Sequence, residues 1–361
     1  MRKQDSAVVT TAATPRNGIL VLTGYGVRVA VERGHLVVSD GRGRERRHGR
    51  FSRADRSFRR LIVLGHTGSI SFDAIRLLHD VRCAFAQIDV DGTVLAAFGP
   101  SGSDDARLRR TQALAPYSGA GLSIAQDLLT RKLERQAAVL DGMATPGAPG
   151  AAAFVRSCVP ALAAAGDEAT LRFVEADAAG AYWAGWAGVD VRWAARDAER
   201  VPEHWRAFRS RLSPLSNESR RAADPVNALL NLGSALLEAE GRIAALAAGL
   251  DAGLGVLHSD RPNRSSFALD IMEPARPLVE RWVLDQLGAR TFRKADFWET
   301  REGVCRLMAP LAKQVVEAVT PLAQATVAPE AERAAYLLTA AAKTWDQVMR
   351  PAARTDRLAF A

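Results

Sequence analysis

What is scarce in this 361-residue sequence narrows it first. Cysteine occurs three times, as Cys83, Cys158 and Cys305, odd in number and widely separated. Such a set makes neither a disulfide framework nor a zinc pattern, and it suits a reducing cytoplasm. No run of about 18 apolar residues occurs, so a membrane-spanning helix is not expected. The first residues, MRKQDSAVVTTAATPRNG, lack an apolar segment of signal-peptide length, and a soluble cytoplasmic protein is expected. Lysine is rare: Lys3, Lys132, Lys294, Lys313 and Lys343 are five of the 48 basic residues, and arginine supplies the rest. Phosphate-binding glycine loops are missing as well. Gly24-Tyr25-Gly26 and Gly65-His66-Thr67-Gly68 lack the required spacing and lysine, so they read as turns.

What is present begins with charge. A formal net charge of +8 and a pI near 9.9 favour a polyanionic partner such as nucleic acid. Richness in Arg and Ala is also what a GC-rich genome produces, so charge alone decides nothing. The densest basic run is Arg42, Arg44, Arg46, Arg47, Arg50, Arg53, Arg56, Arg59 and Arg60. It reads either as a phosphate-tracking patch or as a solvated loop kept extended by its own repulsion.

Hydrophobic periodicity divides the chain near Pro100. Before it, Val27, Val29 and Val31 alternate with Arg28, Ala30 and Glu32, the period-2 pattern of a half-buried strand, and Leu36-Val37-Val38 completes a hairpin. Ser39–Arg50 reads as a polar loop. Further strands are expected at Arg60–Leu64, Cys83–Ile88 and Thr93–Ala96, with a short helix at Phe72–His79. After Pro100, segments such as LSIAQDLLTRKLERQAAVL have helical period, with a loop at Pro146–Pro149, a helix from Asp167 and a long buried helix over Asn227–Leu250. The expected fold class is α+β: a small N-terminal β domain over 15–100, an all-α catalytic domain over 101–350, and tails at 1–14 and 351–361. Trp183, Trp186, Trp193 and Trp205 cluster in one segment. Stacking on unpaired bases is conceivable chemistry, but helical spacing favours core.

One window concentrates ligand-type chemistry: LGVLHSDRPNRSSFALDIMEPARPLVERWV, residues 254–283. His258 ends an apolar run and a polar loop follows. Asp270 and Glu273 then stand three apart, which on a helix puts two carboxylates on one face. Like charges so close repel, and a divalent metal is the usual remedy. The bland alternative is a capping acid plus a solvated glutamate. Pro274 and Pro277 suit a helix's first turn.

This window resembles the signature of the CRISPR-associated endonuclease/integrase of spacer acquisition, the Cas-one family. The resemblance rests on Gly255, Val256, Leu257 and His258, then on Ala268 to Glu273, Pro274, Arg276 and Pro277, and it extends over nearly the whole chain from about Gly18. Lys132 and Gln136 sit where the family shows a Lys-x-x-x-Gln-like pattern. Glu175, seven residues before Tyr182-Trp183, matches the family's first metal ligand. A glycine commonly follows that glutamate, whereas here it is Ala176.

The resemblance implies a metal centre built from Glu175, His258 and Glu273, with Asp270 either a ligand or a carboxylate orienting one. Carboxylates select hard ions, Mg²⁺ or Mn²⁺, and one imidazole tilts the choice towards Mn²⁺. It also implies insertion of DNA fragments into a CRISPR array by a homodimer joined through its β domain and bridged by a small partner, Cas-two. Lys132, Arg264 and Arg276 are the candidate DNA contacts. Two other readings stand beside this one: a transposon-type integrase of the same fold, and a DNA-binding structural protein with a dead site.

Overall fold

The structure is a computed structural model that describes residues 11–41, 46–102, 104–212, 214 and 221–349. Its N-terminal region holds two sheets. One runs β1-β5-β4-β3-β7, from β1 (Thr11–Ala12), β3 (Val27–Glu32), β4 (His35–Asp40), β5 (Arg47–Phe51) and β7 (Gly68–Ile70). The other runs β2-β6-β8-β9, from β2 (Gly18–Thr23), β6 (Phe58–Leu64), β8 (Ala84–Ile88) and β9 (Val94–Phe98). Helix α1 (Phe72–Asp80) starts at Ser71, whose side chain accepts from the Ala74 amide.

β2, β6 and β8 pair in parallel and are apolar at nearly every position, as strands covered on both faces must be. Their alternate residues serve two cores. Leu20, Leu22, Leu61 and Val63 pack with Val27, Val29, Leu36, Leu77 and Leu78 between the sheets and α1. Ile19, Val21, Ile62, Ala86 and Ile88 point the other way and belong to the core of the helical part. The second face of the four-stranded sheet is therefore a wall of the helical core.

That helical part comprises α2 (Ala106–Leu114), α3 (Gly119–Asp141), α4 (Ala148–Ala164), α5 (Glu168–Gly185), α6 (Pro225–Ala247), α7 (Ser266–Met272), α8 (Arg276–Ala289) and α9 (Ala309–Met349). α6 is the central element. Asp224 caps it by accepting from the Asn227 amide, Pro225 fills its first turn, and nearly every face is buried. At Gly241 the backbone of α7 comes so close that a Cβ would lie 2.8 Å from the Ala268 carbonyl oxygen, so the absent side chain sets how near α7 can sit. β6 is tied to α6 by Arg60, which reaches Glu240 through Nε at 2.9 Å and Nη2 at 3.0 Å.

Several expectations are corrected. Residues 11–12 are a strand paired with β5, and Ala13 is buried, so these residues are no tail; 1–10 and 350–361 lie outside the described residues. Within the expected Ser39–Arg50 loop, residues 39–40 and 47–50 are strand. Arg47 pairs with fully buried Asp40, which also accepts from the Thr23 amide at 2.7 Å, and a satisfied arginine inside a ladder leaves no pattern a loop rule could detect. Arg42 and Arg44 lie outside the described residues. The helical part is not all-α: β10 (Phe297–Glu299) and β11 (Cys305–Leu307) form an antiparallel pair. Pro149 lies in the first turn of α4 rather than in a loop. The tryptophan expectation, by contrast, holds: Trp186 and Trp205 are fully buried among other aromatic rings, and Trp183 and Trp193 pack partly buried against that core. No helix among the described residues is long and apolar enough to cross a membrane.

The Arg60–Glu240 pair is shielded, with side chains 19% and 6% exposed. Truncating one partner strands the other charge, so Glu240→Ala should cost about 3 kcal/mol, whereas Arg60→Met with Glu240→Leu should recover most of it. Urea denaturation midpoints read both, and an Ala variant as stable as the parent would contradict the tie.

Candidate active site

Four segments converge beside the middle of α6. α3 brings Lys132 and Gln136, one turn apart on the same buried face. α5 brings Glu175. The loop after α6 brings His258. The junction of α7 and α8, a single 3₁₀ turn at Glu273–Ala275, brings Asp270, Glu273 and Arg276.

The loop is held by side chains. Gln112 donates to the Asp251 and Leu254 carbonyls at 2.8 and 2.9 Å and accepts from the Asp251 amide. Arg172 of α5 donates to the Leu257 carbonyl and to Ser259 Oγ. The central anchor is Asp270, which is fully buried. Its Oδ2 accepts from the Val256 and Leu257 amides at 2.6 and 3.1 Å; its Oδ1 accepts from the His258 amide at 2.9 Å and lies 2.7 Å from His258 Nδ1. A carboxylate already accepting three amides can meet Nδ1 only as an N–H donor, which leaves Nε2 as the available nitrogen. Gly255 makes the tight approach possible, since a Cβ there would lie 2.3 Å from the His258 carbonyl oxygen.

Glu273 and Glu175 meet at a single cation, the ammonium of Lys132. Lys132 Nζ is 2.5 Å from Glu175 Oε1 and 2.7 Å from Glu273 Oε2, and the lysine side chain is 9% exposed. Arg276 Nε donates to Glu273 Oε1 at 2.7 Å, and His258 Nε2 is 4.0 Å from that oxygen. Burial pushes the Glu273 carboxyl up, but Arg276, Lys132 and His258 outweigh it and bring it to about 2. Burial alone would push the Lys132 ammonium down; Glu273 and Glu175 hold it above its usual value. Beside them opens a cavity of about 240 Å³, which Arg211, Trp183 and Glu280 also line. Tyr182 OH donates to Glu280 Oε2 at 2.7 Å, and burial raises that carboxyl.

The fit to a divalent ion was tested on these atoms. Among the described residues no three His, Cys, Asp or Glu side chains are gathered tightly enough to enclose a metal as they stand. The donor set nevertheless suits one. Two carboxylates already converge on one cation, buried Glu273 Oε2 accepts no well-aligned hydrogen bond, and His258 Nε2 is left as a free nitrogen on the same side.

The structure thus brings Glu175, His258 and Glu273 together and separates Asp270 from them in role. Asp270 and Glu273 do not share a cation, because the carboxylate of Asp270 is spent on the loop. Lys132 and Arg276, expected as DNA contacts, are ion-paired inside the site; Arg264 is half-buried in the loop and does not line the cavity. Sequence reasoning missed Arg211, Glu280 and Arg135, whose Nη1 donates to the Pro274 carbonyl at 2.6 Å and ties the 3₁₀ turn to α3. The spacing of Glu273, Arg276 and Glu280, three and then four residues, is a helical face and could have signalled Glu280. Nothing local signals Arg211.

A family model described as "CRISPR associated protein Cas1" matches residues 20–320. The chain is 31% identical over 297 residues to CRISPR-associated endonuclease Cas1 1 of Archaeoglobus fulgidus, covering 80% of this chain and 83% of that one. It is 30% identical to CRISPR-associated endonuclease Cas1 2 of Pyrobaculum aerophilum, over 72% of this chain and 80% of that one. Among solved structures it is similar to a casposase bound to integration product, with a TM-score of 0.74, 25% identity, and coverage of 89% and 91%. A CAS1 protein from Thermotoga maritima shares the fold, with a TM-score of 0.64 at 16% identity over 92% and 97% of the two chains.

Asp270→Asn should lose the acceptor oxygen facing at least one amide or Nδ1, at a cost of about 2–3 kcal/mol, and should free His258 to take either tautomer. Chemical denaturation and the ¹⁵N shifts of the imidazole check this. Unchanged stability with an unchanged tautomer would contradict the anchoring role.

Proposed function

The chain belongs to the Cas1 family of CRISPR-associated proteins, and from that premise we propose that it joins the 3′ ends of short DNA fragments to a CRISPR array. The observation that carries this reading is the convergence of Glu175 and Glu273 on one cation position beside His258 Nε2. These three residues would hold Mg²⁺ or Mn²⁺. Such an ion, when bound, supplies neutralisation of phosphate charge and activation of an attacking oxygen.

The protein's own groups do the rest. Asp270 fixes the imidazole so that Nε2 faces Glu273, and Arg276 and Arg211 add positive charge at a cavity that an anionic phosphodiester would enter. Among the described residues, the candidate hydroxyl and thiol nucleophiles near the site are engaged or buried. Tyr182 is buried and donates to Glu280, Ser266 Oγ donates to the Ser259 carbonyl, and the three cysteines are buried. The attacking group is then a DNA 3′-hydroxyl or water. When the 3′ oxygen attacks, one O–P bond forms as the target's 3′ O–P bond breaks, so phosphodiesters are exchanged without net loss. Holding that hydroxyl in line gives the advantage of a positioned reactant over bulk water.

We also propose that the chain acts as a homodimer with a small Cas2-type partner. In the Cas6-RT-Cas1–Cas2 complex, 36% of one chain matches 93% of this one in fold, with a TM-score of 0.65 at 18% identity. On the N-terminal β region Tyr25 and Phe72 are exposed, at 60% and 90%. The same chemistry on the ends of a mobile element is the second reading, favoured by the likeness to the casposase; the target that accepts fragments distinguishes the two.

Strand transfer into a plasmid carrying the native array, with the partner present, tests the proposal. Fragments with free 3′-hydroxyls should be joined and dideoxy-ended fragments should not. EDTA, Glu175→Ala, His258→Ala and Glu273→Ala should each lower joining by about 100-fold or more, while Ser265→Ala, outside the cavity lining, leaves it. Joining of dideoxy ends, or loss of joining in Ser265→Ala alone, would contradict the mechanism, and a monomer by light scattering at micromolar concentration would contradict the dimer.

A further inference from the structure

We propose that Lys132 is the built-in counter-ion of the site: its ammonium holds Glu175 and Glu273 together in the metal-free protein and swings away when a divalent cation takes the two carboxylates. This rests on the metal-dependent reading above and concerns what that reading leaves open, namely how buried Glu273 and half-buried Glu175 are kept in place before the metal arrives.

The charge count leads to it. Glu175 and Glu273 are already balanced by Lys132 and Arg276, which contact them at 2.5, 2.7 and 2.7 Å. Adding two positive charges to a balanced, shielded centre is unfavourable unless one of the resident cations yields. Arg276 is poorly suited to yield, because it stands three residues from Glu273 on the same turn and its planar group is already docked on that carboxylate. Lys132 approaches from a different helix on a flexible four-carbon stem with rotatable donors.

A second, independent observation shows where the ammonium can go. Lys132 lines the cavity of about 240 Å³, and so does Gln136, one turn further along α3. Gln136 is 2% exposed and its Oε1 has no hydrogen-bond partner. A buried acceptor left unmet is costly. It lies at the spacing a lysine four residues earlier reaches, and Glu280 on the same cavity adds a carboxyl. Metal-free, the ammonium occupies the carboxylates; metal-bound, it meets Gln136.

The site's affinity for metal is therefore reduced by the ion pairs that must be broken. Mn²⁺ binding by the full chain, read by calorimetry and by the loss of the free-ion electron paramagnetic resonance signal, tests this. Lys132→Met should bind Mn²⁺ about tenfold or more tightly than the parent. Its melting temperature in EDTA should be lower than the parent's and should rise further on adding Mn²⁺. Lys132→Arg keeps a competing charge and should bind no more tightly than the parent. Gln136→Leu, which breaks no existing hydrogen bond of Oε1, should bind Mn²⁺ several-fold more weakly; this arm decides the matter if Lys132→Met fails to fold without metal. Equal or weaker binding by folded Lys132→Met, or unchanged binding by Gln136→Leu where Lys132→Met does not fold, overturns the inference. If the parent binds Mn²⁺ and the variants match it, only the role of Lys132 falls. If neither the parent nor any variant binds, the metal reading falls with it.

Discussion

Two carboxylates cannot stay charged side by side in a protein interior without a cation between them. Unit charges 4 Å apart at an effective dielectric near 20 interact by about 4 kcal/mol, a large share of any domain's net stability. In this chain Glu175 and Glu273 meet at Lys132, and three otherwise independent segments are organised by that meeting. α3 must face α5 and the α7–α8 junction at close range. Gly241 in α6 lets α7 approach, and Arg135 pins the 3₁₀ turn that aims Glu273. The packing of the helical core serves to present a few charged atoms at one point.

The histidine is placed by a second constraint of the same kind. Asp270, fully buried, has no Lys or Arg partner among the described residues; three successive backbone amides and one ring nitrogen satisfy it instead. The loop from Val256 to His258 is consequently moulded around a carboxylate, and the imidazole emerges with a defined orientation. Chemistry and fold share these atoms. Loss of Asp270 should perturb the loop and the placement of His258 Nε2 together, because one side chain supports both.

Much of this was legible in the sequence. The alternation Val27-Val29-Val31 and the apolar runs at Ile19–Leu22 and Leu61–Val63 carried the strands, and long Ala/Leu segments carried the helices. Glu175, His258 and Glu273 were legible through their resemblance to a family pattern, since Glu175 lies over 80 positions before the other two and leaves no local trace of meeting them. What escaped was pairing across distance. Arg47 looked like part of a solvated basic loop because nothing near it announces Asp40 as its buried partner in a ladder. Lys132 looked like a phosphate contact because the two acids that claim it come from other helices. Asp270 and Glu273, three apart, suggested a shared metal; the turn between α7 and α8 directs one to the backbone and the other to the cation position.

The central claim is that Glu175, His258 Nε2 and Glu273 form one divalent-metal site in a Cas1-family protein. The most direct measurement is anomalous diffraction at the manganese edge from crystals of the full chain soaked in Mn²⁺. The account predicts a single strong peak within about 2.0–2.4 Å of a Glu175 oxygen, a Glu273 oxygen and His258 Nε2, with Asp270 still bonded to the Val256–His258 amides. A peak bound by Asp270 in place of Glu273, or a saturated crystal with no peak among these three residues, would contradict it.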